Sequence, residues 1–295
     1  MPEDVRFPAR DGRLLTGTVF ASDRPCGSVV VASAMAVRRR LYAPFAEHLA
    51  RGGLTTLTFD YRSIGDSRDR PLRQCKARLH DWGELDLAGA FDWMLHQHPT
   101  LPLQLAAHSL GGQLFGLIEN APVAGAVFVA SQSGSWKHWR GLLRLLLFAS
   151  WHVLLPSFAW VLGYIPMKFF GQGEDLPGGV GAEWARWGRH DDYVGCYAQP
   201  RGGMNFAHWS GPLCSYSISD DSYAPRSSVE ALLAMYTRAD TELRVICPRD
   251  VGANRVGHFD VFRPRFRHTI WSEIRNTLLS RLPAGMVSVG DVPAD

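Results

Sequence analysis

Ser109 stands at the apex of Ala107-His108-Ser109-Leu110-Gly111, between an apolar run at 101–106 and a helix-like stretch at 112–118. A strand, a tight turn and a helix in that order hold a serine hydroxyl exposed at the end of a sheet. The turn strains the serine backbone, so only small residues fit two positions before and after it. Here those residues are Ala107 and Gly111. The N–H of Leu110 can then face a developing oxyanion. A serine hydroxyl is a weak nucleophile near neutral pH; it needs a basic partner, usually histidine, and the histidine needs an acid to fix its tautomer. With the nucleophile on such a turn, the acid follows it along the chain and the histidine comes last. Two aspartates, Asp220 and Asp221, follow an apolar run at 213–219, and Gly257-His258-Phe259 lies in a loop after another at 243–247. Both places lie beyond the carboxyl end of a strand, where open α/β sheets position ligands. Ser109, one of the two aspartates, and His258 are therefore the candidate nucleophile, acid and base.

The elements needed to position them are legible. Strand signals at 14–20, 28–34, 54–60, 103–107 and 124–130 alternate with helix signals at 42–51 and from 81 to about 96. Asp81 with Glu84 three residues later, and Ser227 with Glu230, read as capping boxes at helix starts. The alternation stops at 131 and resumes with the strands at 213–219 and 243–247 and a helix over 269–282. Near-continuous apolar strands between helices predict a mostly parallel sheet covered by helices on both faces. Seven of the ten tryptophans fall in the interruption, among helical runs and Gly/Pro-rich turns. The expected organisation is a core of 1–130 and 213–285, a helical, aromatic-rich lid of 131–212 inserted after 124–130 (read as the sixth strand), and a loose tail of 286–295. Within the lid, 145–167 is apolar enough to span a bilayer. Pro156 interrupts it, and two short buried or cap helices are expected there.

Composition narrows the function. A net charge of +3 is too small for a polyanion-binding surface, so no nucleic-acid partner is expected. The five cysteines are scattered and hold no C-x-x-C pair, which fits a reducing, cytoplasmic location and gives no zinc site. Arg38-Arg39-Arg40 is open to two readings, a solvated loop or a site for an anionic substrate. His108, beside Ser109, is expected to pack beneath the turn, and His268 to lie at the surface.

The whole pattern resembles the α/β-hydrolase superfamily over nearly the full chain. Asp60-Tyr-Arg-Ser-Ile-Gly-Asp-Ser67 is similar to the family's D-x-R-G-x-G-x-S turn, with Ser63 in place of glycine. Ser33-Ala34 stands where a His-Gly pair is common, which implies that the N–H of Met35 is the first oxyanion donor and that of Leu110 the second. Asp221-Ser-Tyr-Ala-Pro225 fits the family's D-x-x-(V/A)-P spacing better than Asp220 does, favouring Asp221 as the acid. Within the superfamily the chain is broadly similar to bacterial serine hydrolases of the monoacylglycerol lipase and serine aminopeptidase branch. The resemblance implies an α/β-hydrolase sheet and a serine hydrolase that cleaves an ester-like acyl bond of a small, apolar substrate without a cofactor. An acyltransferase using the same groups, or a binding module with a decayed site, remain the alternatives. The apolar lid leaves room for a weak membrane contact.

Overall fold

The computed structural model describes residues 1–171 and 173–283; the expected tail, 286–295, lies outside the described residues. Strands β1 (Glu3–Pro8), β2 (Leu14–Phe20), β3 (Gly27–Ala32), β4 (Leu54–Phe59), β5 (Leu103–His108) and β6 (Gly125–Val129) come first. The short pair β7 (Tyr164–Ile165) and β8 (Leu176–Pro177) follows, and then β9 (Pro212–Ile218) and β10 (Asp240–Ile246). Eight of these form one sheet, in the order β1-β2-β4-β3-β5-β6-β9-β10. Only β2 runs antiparallel to the rest; β1, paired antiparallel with β2, runs in the common direction. From β4 through β10 every pairing is parallel.

The sequence explains the layering. In β3, Val29 and Val31 pack on one face of the sheet, and Val30 and Ala32 on the other. The first face meets the helices Ala43–Arg51 and Ser272–Ser280; the second meets Ala88–Gln97 and Leu110–Phe115. All six residues of β3, β4 and β5 are buried, as expected for strands covered on both sides. β1 escapes sequence reading because it is an edge strand with one buried side chain, Phe7. Its register is set by the pairing with β2, Phe7 opposite Leu15.

Neither capping box forms as expected. The first box lies three residues earlier, where the backbone N–H of Arg78 donates to Asp81 at 2.8 Å. Glu230 instead pairs with Arg226 across one helical turn.

Residues 131–211 lie between β6 and β9 as a mostly helical insertion carrying β7 and β8. The run around Pro156 is one continuous helix, Gly141–Val161, rather than two buried ones. A wide turn over Ser150–Leu154 precedes the proline and gives its ring room against the preceding turn. Of the whole helix only Trp151 and Leu155 are buried. The insertion's tryptophans are mainly packing groups: Trp139, Trp151, Trp187 and Trp209 are buried, while Trp160 faces solvent.

Each arginine of the triplet is paired with carboxylates of the fold. Arg39 is 2% exposed, and its guanidinium meets the carboxylates of Asp60, Asp66 and Asp4. Arg38 pairs with Glu174 and Arg40 with Asp66. Asp60 also accepts the backbone N–H groups of Arg39 and Asp66. The turn 60–67 is thereby a clamp on the loop that follows β3. Gly65 is required there, because a Cβ would sit 2.5 Å from the Asp60 carboxylate. Ser63, where the family has glycine, adopts a left-handed φ of 70°. Burial raises the Asp60 carboxyl above its ordinary value, and the hydrogen bonds and charge of Arg39 oppose that rise. Replacing Arg39 by Gln strands a buried carboxylate, so Arg39→Gln should lower unfolding free energy by roughly 3–5 kcal/mol. Denaturant unfolding monitored by circular dichroism measures this; a loss like that of the exposed Arg40→Gln would show that the clamp is not stabilising.

Candidate active site

Ser109 adopts φ 53°, ψ −112° between β5 and the helix Leu110–Phe115. This left-handed conformation is costly for a residue with a Cβ, and the buried strand and helix on either side hold it in place. The neighbouring positions explain the small residues. A Cβ on Gly111 would lie 2.5 Å from the Ala32 carbonyl oxygen, since the helix packs against the end of β3. Ala107 pairs with Ala32 in the sheet and is buried.

The three sequence-derived side chains meet. His258 Nε2 lies 2.9 Å from Ser109 Oγ, and His258 Nδ1 lies 2.6 Å from Asp221 Oδ2. All three residues are buried. With Asp221 accepting from Nδ1–H, the neutral imidazole has its lone pair on Nε2, aimed at the serine hydroxyl. The second oxygen of Asp221 accepts the N–H groups of Tyr223 and Ala224, which fixes the carboxylate plane. Asp220 points elsewhere: its oxygens accept the backbone N–H groups of Val256 and Gly257, both at 3.0 Å. The two adjacent carboxylates thus divide between the imidazole and the backbone of its loop. Tyr223 and Phe259 flank the imidazole, with ring centroids 5.4 and 4.8 Å away.

Leu110 opens the helix behind Ser109, and Met35 lies in the loop after β3. Neither backbone N–H has a hydrogen-bond partner among the described residues. Both can therefore serve as donors to a bound oxygen.

Two participants were not found by sequence reasoning. Gln132, the second residue of the insertion, brings Oε1 to 3.4 Å from Ser109 Oγ. Its backbone carbonyl accepts from Gln113 Nε2 at 2.7 Å, and Gln113 Oε1 accepts from the Tyr193 hydroxyl. A lone glutamine after a strand carries no pattern that marks it. The other is Tyr42. Its hydroxyl accepts the Ala34 N–H at 2.9 Å and donates to His108 Nδ1 at 2.8 Å. His108 is then the neutral tautomer with hydrogen on Nε2, which donates to the His258 carbonyl oxygen at 3.0 Å. His108 does lie beneath the turn, as its position beside Ser109 suggested. The adjacent tyrosine partner was too far away in sequence to see. This buried relay joins the loop after β3, the Ser109 turn and the His258 loop.

A model described as the alpha/beta hydrolase family matches residues 27–266. No curated protein matches the sequence. Among solved structures, a soluble variant of monoglyceride lipase from Saccharomyces cerevisiae, in complex with a substrate analog, is similar with a TM-score of 0.69 at 14% identity, covering 96% of this chain and 95% of that one. An esterase from Pyrococcus furiosus gives a TM-score of 0.63 at 17% identity, over 96% and 92% of the two chains. A thermophilic esterase from Thermogutta terrifontis gives 0.58 at 14% identity, over 95% and 99%.

Burial holds the His108 imidazole well below its ordinary value, and the nearby His258 adds to the shift. The unfolded chain therefore takes up a proton that the native state refuses. Stability from this group is present above the unfolded value of about 6.5 and is lost as pH falls below it. The melting temperature should drop on going from about pH 7.5 to about pH 5, and His108→Gln should show a smaller drop. Calorimetry at the two pH values tests this; equal drops in the two proteins would remove His108 as an acid-sensitive group.

Proposed function

The chain belongs to the alpha/beta hydrolase family, and from that premise we propose that it is a serine esterase acting on a small, apolar acyl ester. The observation that carries the proposal is the unbroken hydrogen-bonded chain Ser109–His258–Asp221 at the carboxyl ends of β5, β9 and β10. Esterase and lipase structures that share the fold support the reading without fixing the substrate.

In this mechanism Ser109 Oγ attacks the ester carbonyl carbon as His258 Nε2 takes the hydroxyl proton. The C=O electron pair moves onto oxygen, where the N–H groups of Met35 and Leu110 stabilise it. Collapse of the tetrahedral species breaks the bond to the alcohol, which leaves with the proton from His258. Water then attacks the acyl-serine with His258 again as base, and the acid is released. Asp221 keeps the imidazole in its working tautomer and stabilises the imidazolium. Tyr223, Phe259 and the half-buried Met35 make apolar contacts available around the site, in keeping with an apolar acyl group. The insertion acts as a lid, joined to the site through Gln132 and Gln113. The free cysteines fit a reducing, cytoplasmic setting.

Fluorophosphonate labelling and a series of p-nitrophenyl esters test the proposal. Ser109→Ala should remove covalent labelling while the melting curve stays cooperative; a folded mutant that still labels would exclude Ser109 as nucleophile. Asp221→Asn should lower kcat by about 10³–10⁴, because the amide favours the wrong imidazole tautomer. Asp220→Asn keeps an acceptor oxygen for the His258 loop and should cost no more than about tenfold, around 1.4 kcal/mol. The opposite ranking would transfer the acid role to Asp220.

A further inference from the structure

The helix Gly141–Val161 is an apolar element that the fold leaves largely uncovered. Leu142, Leu146, Val153 and Trp160 fall on one side of it by their spacing, and they are 71%, 51%, 56% and 87% exposed. Phe169 and Phe170 extend the surface beyond the helix, with the Phe170 ring 5.8 Å from Phe158. Scattered exposed leucines are ordinary; a contiguous face of this kind marks a contact with something apolar.

A second feature adjoins it. Trp160, Pro156 and Ala159 line a groove of about 490 Å³ together with Arg73, Lys76, Arg78 and Arg189. No carboxylate lines the groove, and none of these four cations has an acidic ion-pair partner among the described residues. Between Glu119 and Glu174 the sequence contains no acidic residue, while Lys137, Arg140, Arg144 and Lys168 fall in that interval. Lys137 pairs with Asp191 and Lys168 with Glu174, and Arg140 and Arg144 have no carboxylate partner among the described residues. An uncovered apolar helix beside an uncompensated cationic groove matches one surface chemistry, an apolar layer edged by phosphate anions.

We propose that this face docks the protein onto anionic phospholipid bilayers, with the helix lying in the interfacial plane and the groove cations at the lipid phosphates. The helix lies on the membrane and does not cross it. Trp151 and Leu155, on its opposite side, belong to the protein core, and the Trp151 indole donates to the Gly134 carbonyl oxygen. A second copy of the chain is the less suitable occupant, because a two-fold contact through this face would bring two such cationic grooves together. The docked surface adjoins the site loops. Trp139, two residues before the helix, donates from its indole to the carbonyl oxygen of Ser222, next to Asp221. The proposal stands on the surface alone and holds whether or not Ser109 is a nucleophile.

The test uses the full chain carrying Ser109→Ala, so that no turnover alters the lipid. It is sedimented with vesicles of phosphatidylcholine alone or with roughly 30 mol% phosphatidylglycerol. Binding to the anionic vesicles should be at least about tenfold stronger, and should weaken as salt is raised. Leu146→Ser with Trp160→Ser should reduce binding to both vesicles by about tenfold or more, from lost apolar burial. Arg73→Gln with Arg189→Gln should remove the preference for anionic lipid and leave residual binding. Should the serine variants fold poorly, quenching of tryptophan fluorescence by brominated lipid in the chain with Trp160 intact, compared with Trp160→Phe, reads insertion directly. Equal binding to both vesicles, insensitivity to the serine variants, or no quenching difference would overturn the proposal. So would a solution dimer, seen by sedimentation equilibrium, that the serine variants dissociate while vesicle binding is absent; that result assigns the face to self-association.

Discussion

The site depends on one constrained residue. Ser109 is held at positive φ because β5 and the helix Leu110–Phe115 are both buried and meet too closely for a relaxed connection. Backbone strain of this kind costs on the order of 1–3 kcal/mol and persists only where the surroundings over-determine it. The contact of Gly111 with the Ala32 carbonyl shows how little slack exists. It also brings the end of β3, and with it the loop carrying Met35, against the start of the helix carrying Leu110. The same close approach that strains the serine therefore places two unpaired backbone N–H groups on neighbouring loops. His258 and Asp221 need only reach the ends of β10 and β9 to complete the arrangement, and the parallel order of the sheet brings them there.

The loops around that residue are fastened by polar groups rather than by packing alone. The segment after β3 is held at both ends, Ala34 by the Tyr42 hydroxyl and Arg39 by the Asp60 clamp. The Tyr42–His108 relay carries the first of these ties on to the carbonyl of His258. Asp220 ties the same histidine loop through two further N–H groups. A buried relay is stabilising only when every member is satisfied. Here the donors and acceptors pair throughout once His108 is neutral, which is the form its burial enforces. Positioning of the imidazole thus comes from three separate loops, and motion in one is resisted by the others.

Much of this was legible in the sequence, and the gaps have physical causes. Ser109 and His258 could be found because a strained turn restricts its neighbours to small residues and because strand ends punctuate the chain. Those ends left Asp220 and Asp221 both open, and only the resemblance to the family's D-x-x-(V/A)-P spacing favoured Asp221. The core strands were legible because their apolar runs need no partner to be recognised. β1 was missed because a single buried phenylalanine on an edge strand leaves almost no period to read. Tyr42 and Gln132 were missed because their roles are set by contacts 66 and 23 residues away, to His108 and Ser109. The arginine triplet invited an anion-binding reading because sequence shows charges and not their partners. Asp60 and Asp66, more than twenty residues on, take up that charge. Pro156 pointed to a break, yet a wide helical turn absorbed it.

The insertion divides its apolar residues between two tasks. Trp139, Trp151, Trp187 and Leu155 are buried and bind it to the core, so removing the exposed residues from Gly141–Val161 would leave that anchoring intact. The outward leucines and Trp160 therefore contribute little to folding, and water contact with them is a standing cost of roughly 25 cal/mol per Å² of apolar area. Residues that stabilise the fold so little and yet cover one side of a helix, next to cations without counter-ions, are better explained by what the surface meets than by what it supports. An interfacial position also suits an insertion whose first residues, Gln132 and Trp139, contact Ser109 and the loop of Asp221. A rigid sheet can hold the reactive groups while the inserted helix decides where the molecule resides, and neither function needs the other to be remodelled.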